Sequence, residues 1–330
     1  MKIAIRRPDD LHLHVRQGAM LRAVLPATAR RFGRALIMPN TDPPVLTASD
    51  AAEYRRAIEA EAGGLEPLMA VKLVASTTPE TIRACKGAVV AGKLYPEGVT
   101  TNSADGVSDF ARMYPAFEAM EQAGMVLCLH GETPGVFSLD REKTFLETLR
   151  GIALAFPRLR IVLEHVTTAD AVREVERLPD TVAATITAHH LFLTLDDVIG
   201  GSLRPHAFCK PVAKRPEDRE ALIAAATGGN PKFFLGTDSA PHLRGRKECD
   251  GGCAGVFSAP VAMEAYAAIF ERRDALGRLE DFASAFGARF YGLSLNEGTL
   301  TLAREPWKVP PELHGVVPFL AGETIDWRVV

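Results

Sequence analysis

Asp9-Asp10-Leu11-His12-Leu13-His14-Val15-Arg16 is the stretch on which the reading of this chain turns. His12 and His14 alternate with Leu11, Leu13 and Val15, and a period of two points both imidazoles to one side of an extended strand. Two imidazoles presented this way make a metal-binding edge. Four further apolar runs lead into donor side chains: Val89–Gly92 before Lys93, Val126–Leu129 before His130, Ile161–Glu164 before His165, and Phe233–Thr237 before Asp238. Side chains at the ends of buried strands converge when those strands close into one parallel barrel.

Short continuous apolar runs fit strands buried on both faces, and here they alternate with longer stretches of helical period. Eight strands are expected, near Leu11–Val15, Ala35–Met38, Leu68–Val74, Val89–Leu94, Met125–Leu129, Ile161–Leu163, Val182–Ile186 and Phe233–Leu235. Amphipathic segments Ala51–Ala62, Phe110–Ala123, Lys143–Phe156 and Glu217–Ala226 would cover the outside of the sheet. Thr47-Ala48-Ser49-Asp50 reads as a capping box, and Pro26 is expected to kink or shorten the helix it falls in. Eight βα units predict an α/β fold, a TIM (β/α)8 barrel whose chemistry sits at the carboxyl ends of the strands. A doubly wound open sheet would need a switch-point crevice and gives no reason for ligands on strands one, four, five, six and eight. Beyond Ala254, helices near Pro260–Phe270 and Phe282–Phe290 and a Pro-rich tail read as C-terminal helical additions, so residues 1–330 are expected to form a single barrel domain.

A length of 330 residues with 47% hydrophobic content suffices for one large core. The formal net charge is -3 and the Arg pairs are scattered among acids, so no nucleic-acid partner is expected. No apolar run is long enough to span a bilayer, and the N-terminus reaches charge and Pro8 before a signal-peptide core develops; a soluble, cytoplasmic protein with no membrane partner is expected. Five dispersed cysteines argue for reduced thiols. Cys249 and Cys253 lack a second nearby pair to complete a zinc site and read as a free-thiol loop.

Four histidines and one carboxylate serve two metal ions only if a further ligand is shared. Lys93 is the candidate, since a lysine amine that has captured carbon dioxide becomes an anionic carbamate with two oxygens, able to bridge two cations. His189 and His190 are kept out of the ligand set because adjacent strand residues point to opposite faces. His206 and Cys209 are likewise given structural or rim roles.

The chain resembles the dihydroorotases of the amidohydrolase superfamily, in particular the shorter, homodimeric bacterial type. The resemblance runs over nearly the whole length, through Arg6–Arg16, Met38–Asn40, Lys93–Pro96, Thr100–Ser103, His130–Glu132, Glu164–Thr168, Arg204–His206, Gly236–His242 and Val317–Thr324. It implies two Zn2+ per subunit, with His12, His14, N6-carboxylated Lys93 and Asp238 on one and Lys93, His130 and His165 on the other. It further implies reversible interconversion of N-carbamoyl-L-aspartate and L-dihydroorotate in pyrimidine biosynthesis, with Asp238 as the proton carrier, and a homodimer. A substrate carboxylate would be held by Arg16, Asn40 and His242, with further contacts from Thr100 and Thr101 on a lid bounded by Gly98 and Gly106. Backbone contacts map to Lys210 and Ala254; Lys210 stands where one relative of the family has an apolar side chain. Another cyclic amidase, hydantoinase-like or allantoinase-like, and a non-catalytic scaffold barrel are the competing readings. Arg16 with Asn40 separates the first from a dihydroorotase, and the complete ligand set speaks against the second.

Overall fold

Residues 1–100 and 102–330 are described by a computed structural model. After a short strand β1 (Lys2–Arg6), the chain lays down β2 (Asp9–Leu13), β3 (Arg34–Ile37), β4 (Glu66–Leu73), β5 (Ala91–Leu94), β6 (Val126–His130), β7 (Ile161–Glu164), β8 (Val182–Ile186) and β9 (Phe233–Leu235). Strands β2 to β9 form one sheet in sequence order, every neighbouring pair parallel. The seam between β2 and β9 is drawn together just past their ends, where the Asp238 N–H donates to His12 O at 2.9 Å and the His14 N–H to Ser239 O at 3.1 Å. At the same seam the Thr237 hydroxyl donates to the buried Asp10 carboxylate at 2.6 Å. This is the expected barrel.

Two apolar layers explain why the strand sequences are almost continuously hydrophobic. Ile37, Met69, Val71, Leu127, Leu129, Leu163 and Leu235 face the outer helices, while Leu36, Met38, Leu68, Ala70, Ala91, Val126, Cys128, Val162, Ala183 and Phe234 fill the barrel interior. Above that plug, the same inward-facing rows continue into Lys93, His130 and Glu164. Strand β2 departs from simple alternation. Its register shifts between Asp10 and Leu13, so Leu11 joins the interior cluster although Leu13 and Val15 pack outward.

Helices Ala48–Glu59, Tyr114–Ala123, Arg141–Ala155 and Pro216–Thr227 occupy the expected segments, and Thr47 with Asp50 forms the reciprocal cap. Pro26 does not end its helix, which runs Gly18–Ala29. Near the last turn the proline removes one donor, and the Arg30 N–H still closes on Pro26 O at 3.1 Å.

Helices do follow Ala254, at Ala262–Arg272 and in a π-turn Asp281–Ala285 that continues as Phe286–Tyr291. The second of these plugs the amino-terminal end of the barrel, where a Cβ on Gly287 would lie 2.1 Å from Leu11 Cδ1. The tail, however, is not only helical decoration. Strands β10 (Thr299–Lys308) and β11 (Thr324–Val329) join β1 in an antiparallel sheet of order β1-β10-β11. Among the described residues no helix is long and apolar enough to cross a membrane.

Candidate metal centre and active site

The carboxyl ends of the strands bring His12, His14, His130, His165 and Asp238 to one buried cleft, with Lys93 fully buried in the β5 row of the same end. The ring centroids of His12 and His165 are 4.9 Å apart, those of His130 and His165 4.8 Å, and those of His12 and His14 5.4 Å. Asp238 Oδ1 lies 3.1 Å from His14 Nε2 and 3.4 Å from His12 Nε2. Ligand atoms of His12, His14 and Asp238 all fall within 4.8 Å of one another.

Two carboxylates beneath this cluster decide which ring nitrogens face it. Glu164 Oε2 takes His12 Nδ1 at 2.8 Å and is itself held by the Thr185 hydroxyl at 2.6 Å, so His12 is left with Nε2 toward Asp238. Glu132 Oε2 takes His130 Nε2 at 2.8 Å, leaving Nδ1 as the free nitrogen of that ring. Carboxylates behind metal-binding imidazoles fix tautomer and orientation and raise ligand basicity. The sequence reading passed over both glutamates as metal-site residues. Glu132 follows His130 by two and Glu164 precedes His165 by one, but Glu164 serves His12, 152 positions away. Only the barrel's closure reveals that pairing.

Burial is the main influence on the charge states. It lowers His14 to about 4 against the opposing hydrogen bond of Asp238, and it lowers His130 and pushes His165 well below the ordinary histidine value. Neutral imidazole is the metal-binding form. Burial alone would raise the carboxyl of Asp238. The hydrogen bond from His14 and the neighbouring His12 and His165 hold it well below the usual range, so it stands as a carboxylate.

Lys93 is fully buried, and burial drives its amine downward. Its Nζ has no hydrogen-bond partner among the described residues and sits 5.1 Å over the Tyr95 ring. The Nδ1 of His165 and the Oε1 of Glu164 are buried and unpaired as well. Burial favours the uncharged amine, the form that captures carbon dioxide, and does so here among donor groups that lack partners. Four imidazoles, a carboxylate and such an amine make a donor set suited to a pair of borderline divalent ions.

Arg16, Asn40, Tyr95, Thr100, Lys210 and Ala254 line the cleft above these donors. Arg16 is steered by Pro241 O at 3.0 Å from its Nε and by His242 Nε2 at 3.0 Å from its Nη2. His242 Nε2 in turn lies 3.1 Å from Ala254 O. Burial, then the adjacent Arg16 charge, lowers His242 to about 3, so Arg16 faces a neutral ring. Thr101 lies outside the described residues. Three non-glycine residues of this region, Arg16, His165 and Asp238, have φ of 59°, 42° and 43°. Such backbone costs roughly 1–3 kcal/mol each and clusters at functional sites.

His189 and His190 do not behave as adjacent strand residues. They lie in a 3-10 turn, His189–Leu191, past the end of β8, with ring centroids 4.5 Å apart. With Cys209 they form a second buried group of ligand types. His190 is nevertheless engaged through both nitrogens, with the Thr187 hydroxyl at 2.8 Å and Pro211 O at 3.1 Å, and the Cys209 thiol donates to the same carbonyl. His206 pairs with Glu248 at the rim.

A model of the amidohydrolase family matches residues 9–314. A curated dihydroorotase of Teredinibacter turnerae is 52% identical, over 99% of this chain and 98% of that one. Among solved structures, dihydroorotase of Saccharomyces cerevisiae in complex with 5-fluoroorotic acid superposes with a TM-score of 0.95 at 39% identity, covering 100% of this chain and 98% of that chain. Dihydroorotase of Campylobacter jejuni gives 0.93 at 39% identity, with coverage of 99% and 97%.

Proposed function

The chain belongs to the amidohydrolase family, among its dihydroorotases, and from that premise we propose that it interconverts N-carbamoyl-L-aspartate and L-dihydroorotate with two divalent ions held by His12, His14, His130, His165, Asp238 and an N6-carboxylated Lys93. The observation that carries this reading is the Lys93 amine, wholly buried and without a hydrogen-bond partner amid those donors. Left as an ammonium it would be a desolvated, unpaired charge, which folded proteins avoid. As a carbamate it would be an anionic ligand with two oxygens to offer to divalent ions. Zinc as the metal, two ions per subunit, the homodimer, the single-domain reading and a cytoplasmic place in pyrimidine biosynthesis rest on kinship alone.

Bound divalent ions would supply an activated water at neutral pH and polarise the ring carbonyl. The chain's own residues do the rest. Asp238, held ionised among three imidazoles, accepts the proton of the attacking water and passes it to the departing ring nitrogen; in the cyclising direction it runs the same transfers backward. Arg16 presents a planar fork to the substrate carboxylate, with Asn40 and His242 completing the clamp. Thr100 and the peptide groups at Lys210 and Ala254 line the remaining sides.

The test is direct. Zinc-loaded protein incubated with dihydroorotate and followed by ultraviolet absorbance should show ring opening. No turnover with zinc demonstrably bound would favour the scaffold reading, and turnover of hydantoin or allantoin instead would favour another cyclic amidase.

A further inference from the structure

Lys247 closes the short helix Arg244–Lys247 in the long loop that follows β9. Its side chain is only 4% exposed, a rare state for lysine. Among the described residues no carboxylate forms an ion pair with it. Its Nζ donates instead to two backbone carbonyls, Phe208 O at 3.0 Å and Gly255 O. These belong to stretches separate in sequence that meet here, where the Gly255 N–H donates to the same Phe208 carbonyl at 2.9 Å.

Both stretches lead into the cleft: Lys210, Ala254 and Gly255 line it. Gly255 has φ of 146°, and a Cβ there would come within 2.5 Å of Ala240 O. That wall is therefore packed to its backbone, and a shift of either stretch changes the shape of the cleft. It would also move Ala254 O, which lies 3.1 Å from His242 Nε2 at the edge of the same cleft.

A buried ammonium is costly to desolvate, and a methionine of similar length would avoid the cost. What the charge provides is a pair of charge-assisted hydrogen bonds that no apolar side chain replaces. We infer that Lys247 is a positioning residue, whose ammonium clamps stretch 208–210 to stretch 253–255 and so sets the wall that receives the anionic end of the substrate. The inference rests on the function proposed above for what occupies the cleft, but the clamp itself does not.

Zinc-loaded wild type, Lys247→Met and Lys247→Arg would be compared by steady-state kinetics with dihydroorotate and by equilibrium binding of 5-fluoroorotate. Hydrogen exchange would be read on peptides covering residues 206–212 and 252–257. For Lys247→Met the expected result is a KM and a Kd each raised at least about fivefold, kcat within about twofold, and faster exchange at the Gly255 amide. Lys247→Arg, which keeps the charge and its donors, should restore most of the affinity. Unchanged KM and unchanged exchange in folded Lys247→Met would overturn the inference, as would a fall in kcat alone. Should Lys247→Met not fold, Lys247→Gln carries the same comparison. If wild type fails to open dihydroorotate, the proposed function fails; the exchange data then still decide the clamp.

Discussion

The floor and the wall of the cleft are built from different material. On the floor, side chains at strand ends would carry the proposed chemistry: Lys93 on β5, His130 on β6, with His12, His165 and Asp238 at the ends of β2, β7 and β9. Each is fixed by the strand beneath it and, for His12 and His130, by a carboxylate behind. The wall is made by loops, and much of it is backbone: Gly255, Ala254, Lys210 and Pro241. Loops have no ladder to set them, so single long side chains reach in and hold them. The lesson is that chemistry here is anchored by topology, whereas recognition is anchored by a few isolated hydrogen bonds. Damage to the floor should therefore abolish turnover, and damage to the wall should loosen binding.

The sharpest break in that contrast comes at Asp238 and Lys93. Asp238→Ala should lower kcat by at least about 10²-fold, because it removes the carboxylate that carries the proton in the proposed reaction. Nearly normal turnover would remove the proton-transfer role. Lys93→Ala should lose comparable activity together with bound zinc, measured as metal per chain after gel filtration. A variant that retained two ions per chain would show that no carbamate is needed to hold them.

The same contrast explains what the sequence disclosed. The floor was legible because βα units repeat and strand residues obey a period of two, so Leu163-Glu164-His165 or Gly92-Lys93 announces a strand end and its donor. Its supports were not, since Glu164 meets His12 across 152 positions. The fixed turn His189–Leu191 defeated an argument that assumed a strand there. In the tail the sequence does carry a strand signal. Ile325, Trp327 and Val329 alternate with exposed residues, and each is buried, the pattern of a half-buried strand. Pro306, which argues against a strand, falls within the irregular register between Arg304 and Trp307, where a strand tolerates it.

Between floor and wall stand the supporting carboxylates. Glu164→Gln preserves shape but weakens the orientation and basicity of His12, and should cost about 10–100-fold in metal affinity, read by competition with a chromophoric chelator. Restoring excess zinc should recover much of the activity. A variant with wild-type affinity would reduce Glu164 to a packing role. On the wall, Arg16→Lys keeps the charge and loses the planar fork; KM for dihydroorotate should rise by about tenfold or more with a smaller change in kcat. An unchanged KM would remove the carboxylate clamp.

The smallest effect is expected where the wall is thinnest, in the loop that carries Thr100. Lys72, 2% exposed on β4, sends its amine up to Asn102 O at 2.8 Å and to the carboxylate of Asp105, while Asn102 Nδ2 donates to Asn40 O at 3.0 Å. Half of that ion pair is open to solvent, with the Asp105 side chain 50% exposed, so its Coulombic contribution is modest. Lys72 thus ties Asn102 and Asp105 to β4, and Asn102 ties them to a residue of the cleft. Loss of the tether in Lys72→Met should raise KM by about two- to fivefold and speed limited proteolysis between Gly98 and Gly106, with metal content unchanged. Asp105→Asn, which keeps the Asn102 carbonyl on the amine, should show a weaker version of the same change. If Lys72→Met instead lost zinc while its KM held, the division between an anchored floor and a tethered wall would have been drawn in the wrong place.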